Sequence, residues 1–356
     1  LTGTTRPLVQ LTLALNYATG GLHVVGYHAV NLAIHVLAAL VLFGLVARTL
    51  GTERLRADWQ DAAPSVALAV SLVWTVHPLQ TESVTYVVQR AESLMALCYL
   101  LTLYGVIRGA ASPHPKRWYA AAVAACALGM LSKPVMVTAP LAVLLYDRVF
   151  LAGSWRGAWR ERRGLHAGLA ATWILLLVLL AGQNESAATA GFALRHLTVL
   201  DYARSQPGVI LRYLRLAFWP SGLVLDYGWP IANETTDVVL PALVLGGIVA
   251  ATLWAFRRRP ELGFLGVMFF LVLAPSSSVI PIQDLAFEHR MYLPLAALVV
   301  LAVSGTRLLI RRAGLGVRAA RQLGFGTTAV LVAALTVLTV ARNRDYRSAF
   351  AMWTDV

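Results

Sequence analysis

The feature that most constrains this chain is the recurrence of apolar runs, each near the length of a membrane-crossing helix, along nearly its whole length. Backbone N–H and C=O groups find no partners in hydrocarbon, so an open chain crosses it as helix. The sequence therefore predicts an all-α, polytopic transmembrane helix bundle. Spans at 27–47, 64–76, 93–107, 118–131, 134–150, 165–181, 238–256, 262–274, 291–309 and 325–340 make about ten. Several fall short of the ~20 residues of a full crossing and must borrow flanking polar residues or thin the bilayer.

Composition excludes a water-soluble domain: 58% of residues are hydrophobic and 13% charged. The net charge of +13 would fit nucleic acid if it lay on one soluble face, but the basic residues cluster between apolar runs and read as topology signals. No nucleic-acid partner is expected. Alternating connections carry 19 Lys/Arg on one side and 11 on the other, which makes the richer set cytoplasmic and points both chain ends outward.

The outward segment 182–237 contains VILRYLRLAFWP. A surface helix is the favoured reading, with Arg212 and Arg215 on one side and Ile210, Leu214 and Phe218 toward lipid; a re-entrant hairpin competes. Both N-x-S/T triplets, at Asn184 and Asn233, fall in this segment. Cys98 and Cys126 lie inside apolar runs, which argues against a disulfide framework or a zinc site. The first residues read as a loop within a longer protein, so the chain is expected to be a fragment: a transmembrane domain over 1–341, with 342–356 leading into a soluble region.

Ionisable side chains are costly in hydrocarbon, and the mid-spans are nearly free of them. His28, Asn31 and His35 share a helix face and are read as interhelical hydrogen-bonding residues, outside any site. Three outward segments differ. HPLQTESVTYVVQRAES predicts an interfacial helix from Leu79 with Glu82, Tyr86, Gln89 and Ser93 on one face. Glu82 is the candidate acid or base, with His77 at the helix start and Arg90 beside it; solvation of an interfacial helix is the plainer alternative. In SKP, Lys133 sits between two spans and either snorkels to water or counters an anionic lipid headgroup. PIQDLAFEHRMYLP gathers Asp284, Glu288, His289, Arg290 and Tyr292 ahead of the ninth span, more than anchoring needs, and Arg290 suits bidentate phosphate contact.

These segments, with RPLVQLTLALNYATGG, GYHAVNLAIH, MLSKP, APLAVLLYDRVF and FEHRMYLP, resemble the transmembrane and tetratricopeptide-repeat O-mannosyltransferases and their bacterial relatives, which are GT-C class membrane glycosyltransferases. The resemblance implies a GT-C-like bundle that moves a mannose-like sugar from a polyprenyl phosphate to a hydroxyl acceptor, commonly protein, on the non-cytoplasmic face. It implies catalytic roles for Glu82 and His77, donor-phosphate contacts from Arg90, Lys133 and Arg290, and substrate contacts from Glu288, His289 and Tyr292. No cofactor or metal is implied. The expected home is a bacterial inner membrane with a periplasmic active face, or the endoplasmic reticulum lumen in a eukaryote, and the soluble region to follow would hold tetratricopeptide repeats.

Two departures are visible. The family's catalytic acidic residues lie in a first outer loop upstream of the RPL segment, and many relatives have an acidic residue after the lysine of SKP, where this chain has Pro134. The rival readings are an ion-coupled transporter, which would carry coupling residues near the midplane, and a non-catalytic membrane anchor.

Overall fold

The computed structural model describes residues 6–182, 197–348 and 350, and among them the chain is helical, with no β-strand. In chain order the helices are α1 (Pro7–Gly20), α2 (Val24–Leu50), α3 (Ala63–Thr75), α4 (Thr81–Thr85), α5 (Arg90–Ala110), α6 (Pro115–Met130), α7 (Ala139–Tyr146) and α8 (Trp155–Ala181). After the undescribed residues, which include the Asn184 triplet, come α9 (Val199–Phe218), α10 (Thr235–Arg258), α11 (Pro260–Leu273), α12 (Pro294–Arg312) and α13 (Val317–Asp345).

Each expected span coincides with a helix. Seven described stretches are long and apolar enough to cross a membrane: Val24–Leu50, Val87–Ala110, Pro134–Leu151, Trp155–Ala181, Thr235–Arg258, Pro294–Arg312 and Val317–Asp345. The pair Arg56–Thr75 and Pro78–Thr85, bent by 58°, raises the number to as many as eight. The remaining two expected spans are the shorter α6 and α11. This is a multi-pass integral membrane protein.

The core is built from α2, α3, α5, α7, α11 and α12, whose facing residues include Leu42, Val70, Met95, Val143, Phe269 and Leu295. Lipid offers no hydrophobic drive between helices, so close packing must hold them together. Small residues permit it: a Cβ at Gly109 would come within 2.3 Å of the Tyr119 ring, and one at Gly105 within 3.1 Å of the Trp118 carbonyl oxygen, so α5 and α6 touch backbone to backbone.

The helix over the VILRYLRLAFWP stretch, α9, is amphipathic and belongs to none of the spanning stretches, in keeping with a surface helix. Thr198 caps it, accepting from the Asp201 N–H while Asp201 reaches back to the cap. Its burial departs from expectation in one respect. Tyr202, Gln206, Val209, Ile210, Tyr213 and Leu216 form a stripe against the bundle, so Ile210 packs on protein, whereas Phe218 stays exposed. Asn233 is exposed and accepts from Arg204 at 2.8 Å.

At the predicted cytoplasmic end, the last turn of the fifth span widens into a π-helical segment, 147–151, that carries the fully buried Asp147. Its carboxylate accepts from Arg162 at 2.7 Å and from His166 Nε2 at 2.9 Å, across the kink in α8 at Arg162. Asp147→Asn would leave the mostly buried Arg162 without its buried partner. A destabilisation of about 3–5 kcal/mol is expected, read as a lower melting temperature in detergent; an unchanged melt would mean that the kink is held by packing alone.

Candidate active site

Glu82 is placed by the way α3 ends. The helix stops at Thr75, and His77, which precedes Pro78, is extended (ψ 132°), as the residue before proline prefers. The chain then runs through a 3₁₀ turn, 78–80, into α4, a break at Tyr86 (ψ 106°) and a second 3₁₀ turn, 87–89. This corrects the single interfacial helix expected from Leu79. Proline at its start and β-branched residues through its middle favour short pieces over a continuous ladder. Glu82 is consequently 1% exposed and faces inward, while Tyr86 is 37% exposed, so the two do not share a face.

His77 lies at the bend. Its Nδ1 accepts from the Leu79 N–H at 3.2 Å and its Nε2–H donates to the Ala217 carbonyl at 3.1 Å, and burial pushes its pKa down to about 4. With both nitrogens occupied it ties the bend to α9 as a neutral strut.

The EHR turn, a 3₁₀ segment Glu288–Met291 at the mouth of α12, meets Glu82 directly. The His289 backbone N–H donates to Glu82 Oε2 at 2.8 Å, and His289 Nδ1 lies 2.6 Å from Glu82 Oε1. Both carboxylate oxygens are thereby used, and an Nδ1-protonated imidazole leaves Nε2 as a proton acceptor. Burial drives the Glu82 carboxyl up to about 7, opposed by the His289 N–H and the charges of Lys133, Arg342 and Arg290. Burial, with Lys133 nearby, drives His289 well below the ordinary imidazole range, which favours the neutral ring.

Glu288 is wholly buried. Its Oε1 accepts from the Val224 N–H at 2.7 Å and the Tyr227 hydroxyl at 2.8 Å, whereas the buried Oε2 has no hydrogen-bond partner among the described residues. Burial, reinforced by Glu82, pushes this carboxyl up to about 8.

Lys133, the third expected element, forms a buried ion pair with Glu92 in the first turn of α5. The carboxylate that this chain lacks after the lysine is thus supplied from another helix. Burial lowers the lysine's pKa and Glu92 opposes the fall; Arg6 and Arg290 also act on it. Glu82, Glu288, His289, Lys133, Glu92, Arg290 and Arg342 therefore occupy one electrostatic neighbourhood.

The other expected residues are used differently. Arg290 NH1 donates to the Tyr202 hydroxyl at 3.1 Å and to the carbonyls of Ser276 and Leu285 at 3.0 and 2.9 Å, and NH2 donates to the Asp284 carbonyl at 2.6 Å. It staples the loop before the EHR turn to α9, and its charge acts on Glu82. Arg90 Nε and NH1 donate to Asn31 and Asn16, each at 2.6 Å, and NH2 donates to the Tyr27 carbonyl at 3.1 Å, locking α1, α2 and α5 together. The Tyr292 hydroxyl bonds His35 Nδ1 at 2.7 Å and its ring packs edge-on against Trp74, so it faces the bundle interior. Asn31 and His35 make the interhelical bonds expected of them, through Arg90, the Val84 carbonyl and the Thr75 carbonyl, while His28 is exposed. Among the described residues, no group of three or more His, Cys, Asp or Glu is arranged to hold a metal ion.

Sequence reasoning missed Glu92, Tyr227 and Arg342. Glu92 had a signal, a lone carboxylate entering an apolar helix two residues after Arg90. Tyr227 and Arg342 had none, because their roles depend on which loop and which helix come to rest beside Glu288.

Residues 7–181 match the family model described as dolichyl-phosphate-mannose-protein mannosyltransferase. The chain is 36% identical over 151 residues to the protein O-mannosyl-transferase Tmtc2 of Drosophila melanogaster, an alignment covering 41% of this chain and 15% of that protein. It is 41% identical over 108 residues to human protein O-mannosyl-transferase TMTC4, covering 28% and 14% respectively. Over residues 7–181 this chain is similar to the protein O-mannosyltransferases. The matched residues include Glu82, Glu92 and Lys133, and the EHR turn lies beyond them. The alignments span only a small part of these relatives' own length. No solved structure matches.

Proposed function

We propose that this mannosyltransferase relative moves a mannose-like sugar from a polyprenyl phosphate to a hydroxyl, on a protein acceptor, at the non-cytoplasmic face of its membrane. The observation that carries the reading is the pairing of Glu82 with His289, beside Glu288, and of Lys133 with Glu92, at helix ends predicted to face outward and from segments far apart in the chain, with the Lys133 charge acting on both Glu82 and His289. A transporter would hold such groups near the midplane.

The chemistry follows from the donors and acceptors. The acceptor hydroxyl attacks the sugar's anomeric carbon, and the bond from that carbon to the phosphate oxygen breaks with its electrons leaving on the phosphate. His289 Nε2 takes the hydroxyl proton, and Glu82, holding the Nδ1–H, keeps the ring in the right tautomer and stabilises the imidazolium. Lys133, aligned by Glu92, is the counter-charge for the departing phosphate, with the caged Arg290 adding field without moving. The reading needs no metal or organic cofactor.

A hydrophobic donor also needs an apolar berth. A cavity of about 160 Å³, lined by Leu42, Tyr99, Tyr146, Phe264 and Met268, reaches Leu293 and Pro294 just past the EHR turn, and an isoprenoid tail suits its lining. The test is direct: the complete protein in lipid nanodiscs, supplied with polyprenyl-phosphate mannose and a Ser/Thr-containing acceptor peptide, is expected to add one hexose to the peptide by mass spectrometry. Failure to glycosylate any hydroxyl acceptor from any polyprenyl-phosphate sugar would overturn the reading.

A further inference from the structure

The last described helix is an odd companion to the site. Of the 29 residues of α13, only Leu335 and Arg342 are buried, so little apolar packing fixes it to the bundle. What fixes its outer end is a polar seam. The Thr339 hydroxyl donates to the Val76 carbonyl at 2.7 Å, and the Thr85 hydroxyl of α4 donates to Asn343 at 2.6 Å, three residues from Glu82. Between these two bonds the helix delivers Arg342, 6% exposed, with its NH2 4.0 Å from Glu288 Oε1 and its NH1 3.1 Å from Asp345. The guanidinium also lies 5.3 Å from the centre of the Tyr346 ring.

We infer that Arg342 is a positioning residue for the Glu82–Glu288 carboxylate pair, so that the seating of α13 on α4 and the EHR turn governs whether the pair can hold His289 in working order. This rests on the transferase reading for its link to activity, though not for its electrostatics. Two buried carboxyls within range of each other cannot readily both ionise without a nearby cation. The cations that face Glu82 are Lys133, Arg290 and Arg342; the groups that face Glu288 are Glu82, Tyr227 and Arg342. Lys133 is taken by Glu92 and Arg290 by backbone carbonyls, whereas Arg342, also paired with Asp345, brings its guanidinium 4.0 Å from a carboxylate oxygen of the pair. It comes from a helix whose outer end is tied to the bundle by two hydroxyl hydrogen bonds.

The sign of the effect is definite. Removing the cation favours the protonated carboxyls, so the acid limb of activity moves to higher pH. Arg342→Gln is expected to shift that limb of the transfer–pH profile upward by about one unit, while Arg342→Lys holds it near the wild-type position. Transfer-independent evidence comes from a hydrophobic carbodiimide, which modifies protonated carboxyls in apolar surroundings. Mapped by mass spectrometry across a pH series, labelling of Glu288 is expected to persist to higher pH in Arg342→Gln, and in Thr85→Val, which loosens the seam with the arginine in place. Coincident labelling curves for wild type, Arg342→Gln and Thr85→Val would overturn the inference. If Arg342→Gln does not fold, Arg342→Lys and Thr85→Val decide alone: a lysine curve shifted as far as the Thr85→Val curve, or no shift in Thr85→Val, counts against it. A wild type that shows no transfer, with the labelling shifts intact, would defeat the transferase reading and leave the role of Arg342 standing.

Discussion

Lys133→Ala is expected to lower transfer by about 10²–10³-fold, the usual cost of removing one preorganised stabiliser of a developing anion. The lysine is nine-tenths buried just past α6 and is ion-paired with Glu92, which aligns its ammonium as the proposed phosphate counter-charge. The substitution also takes the Lys133 ion-pair partner from the buried Glu92 carboxylate, which costs about 3–5 kcal/mol of stability. The two effects separate in the double variant Lys133→Ala with Glu92→Gln. That protein should regain most of the lost melting temperature yet stay as inactive as the single variant. Activity returning together with the melting temperature would reduce Lys133 to a structural partner of Glu92.

Glu82→Gln should lower transfer by about 10²–10⁴-fold while preserving the shape of the site. Glutamine can accept one hydrogen bond from His289 through its carbonyl, but it can also offer an N–H to Nδ1, which selects the opposite tautomer and places the proton on Nε2. The loss should fall on the turnover rate with little change in KM, because the dyad is proposed to act on the proton and not on donor binding. A companion result is expected in the wild type. With the Glu82 carboxyl pushed up to about 7 by burial, transfer should decline as the pH falls below that value, since protonated Glu82 no longer accepts the Nδ1–H. The Glu82→Gln variant should lack that dependence. A rising KM with unchanged turnover would instead make Glu82 a donor-binding residue.

The helices were legible because lipid leaves so few options. A run of apolar residues longer than about 15 has one way to satisfy its backbone in a bilayer, and the ten runs read from the residues coincide with helices. The three outward segments were legible for a related reason: ionisable side chains such as Glu82, Lys133 and Glu288 would not persist at helix ends beside hydrocarbon without a return. The assignment of roles was less legible. Arg90, Arg290 and Lys133 look alike in the sequence, since each is a lone cation at a helix mouth. Only in three dimensions does Arg90 face Asn16 and Asn31, Arg290 face carbonyls and Lys133 face Glu92.

What this chain's residues determined alone is its solvent, its helices and the end at which its costly groups collect, because burial of backbone and charge in lipid is a local cost that each segment bears by itself. Which imidazole bonds a backbone carbonyl and which a carboxylate was decided by tertiary structure. His77 and His289 each sit at a short 3₁₀ turn, and they differ in whether a carbonyl of α9 or the carboxylate of α4 arrives within about 3 Å. Hydrogen bonds act over that range and no further, so a residue's chemistry here depends on neighbours that the linear order does not reveal.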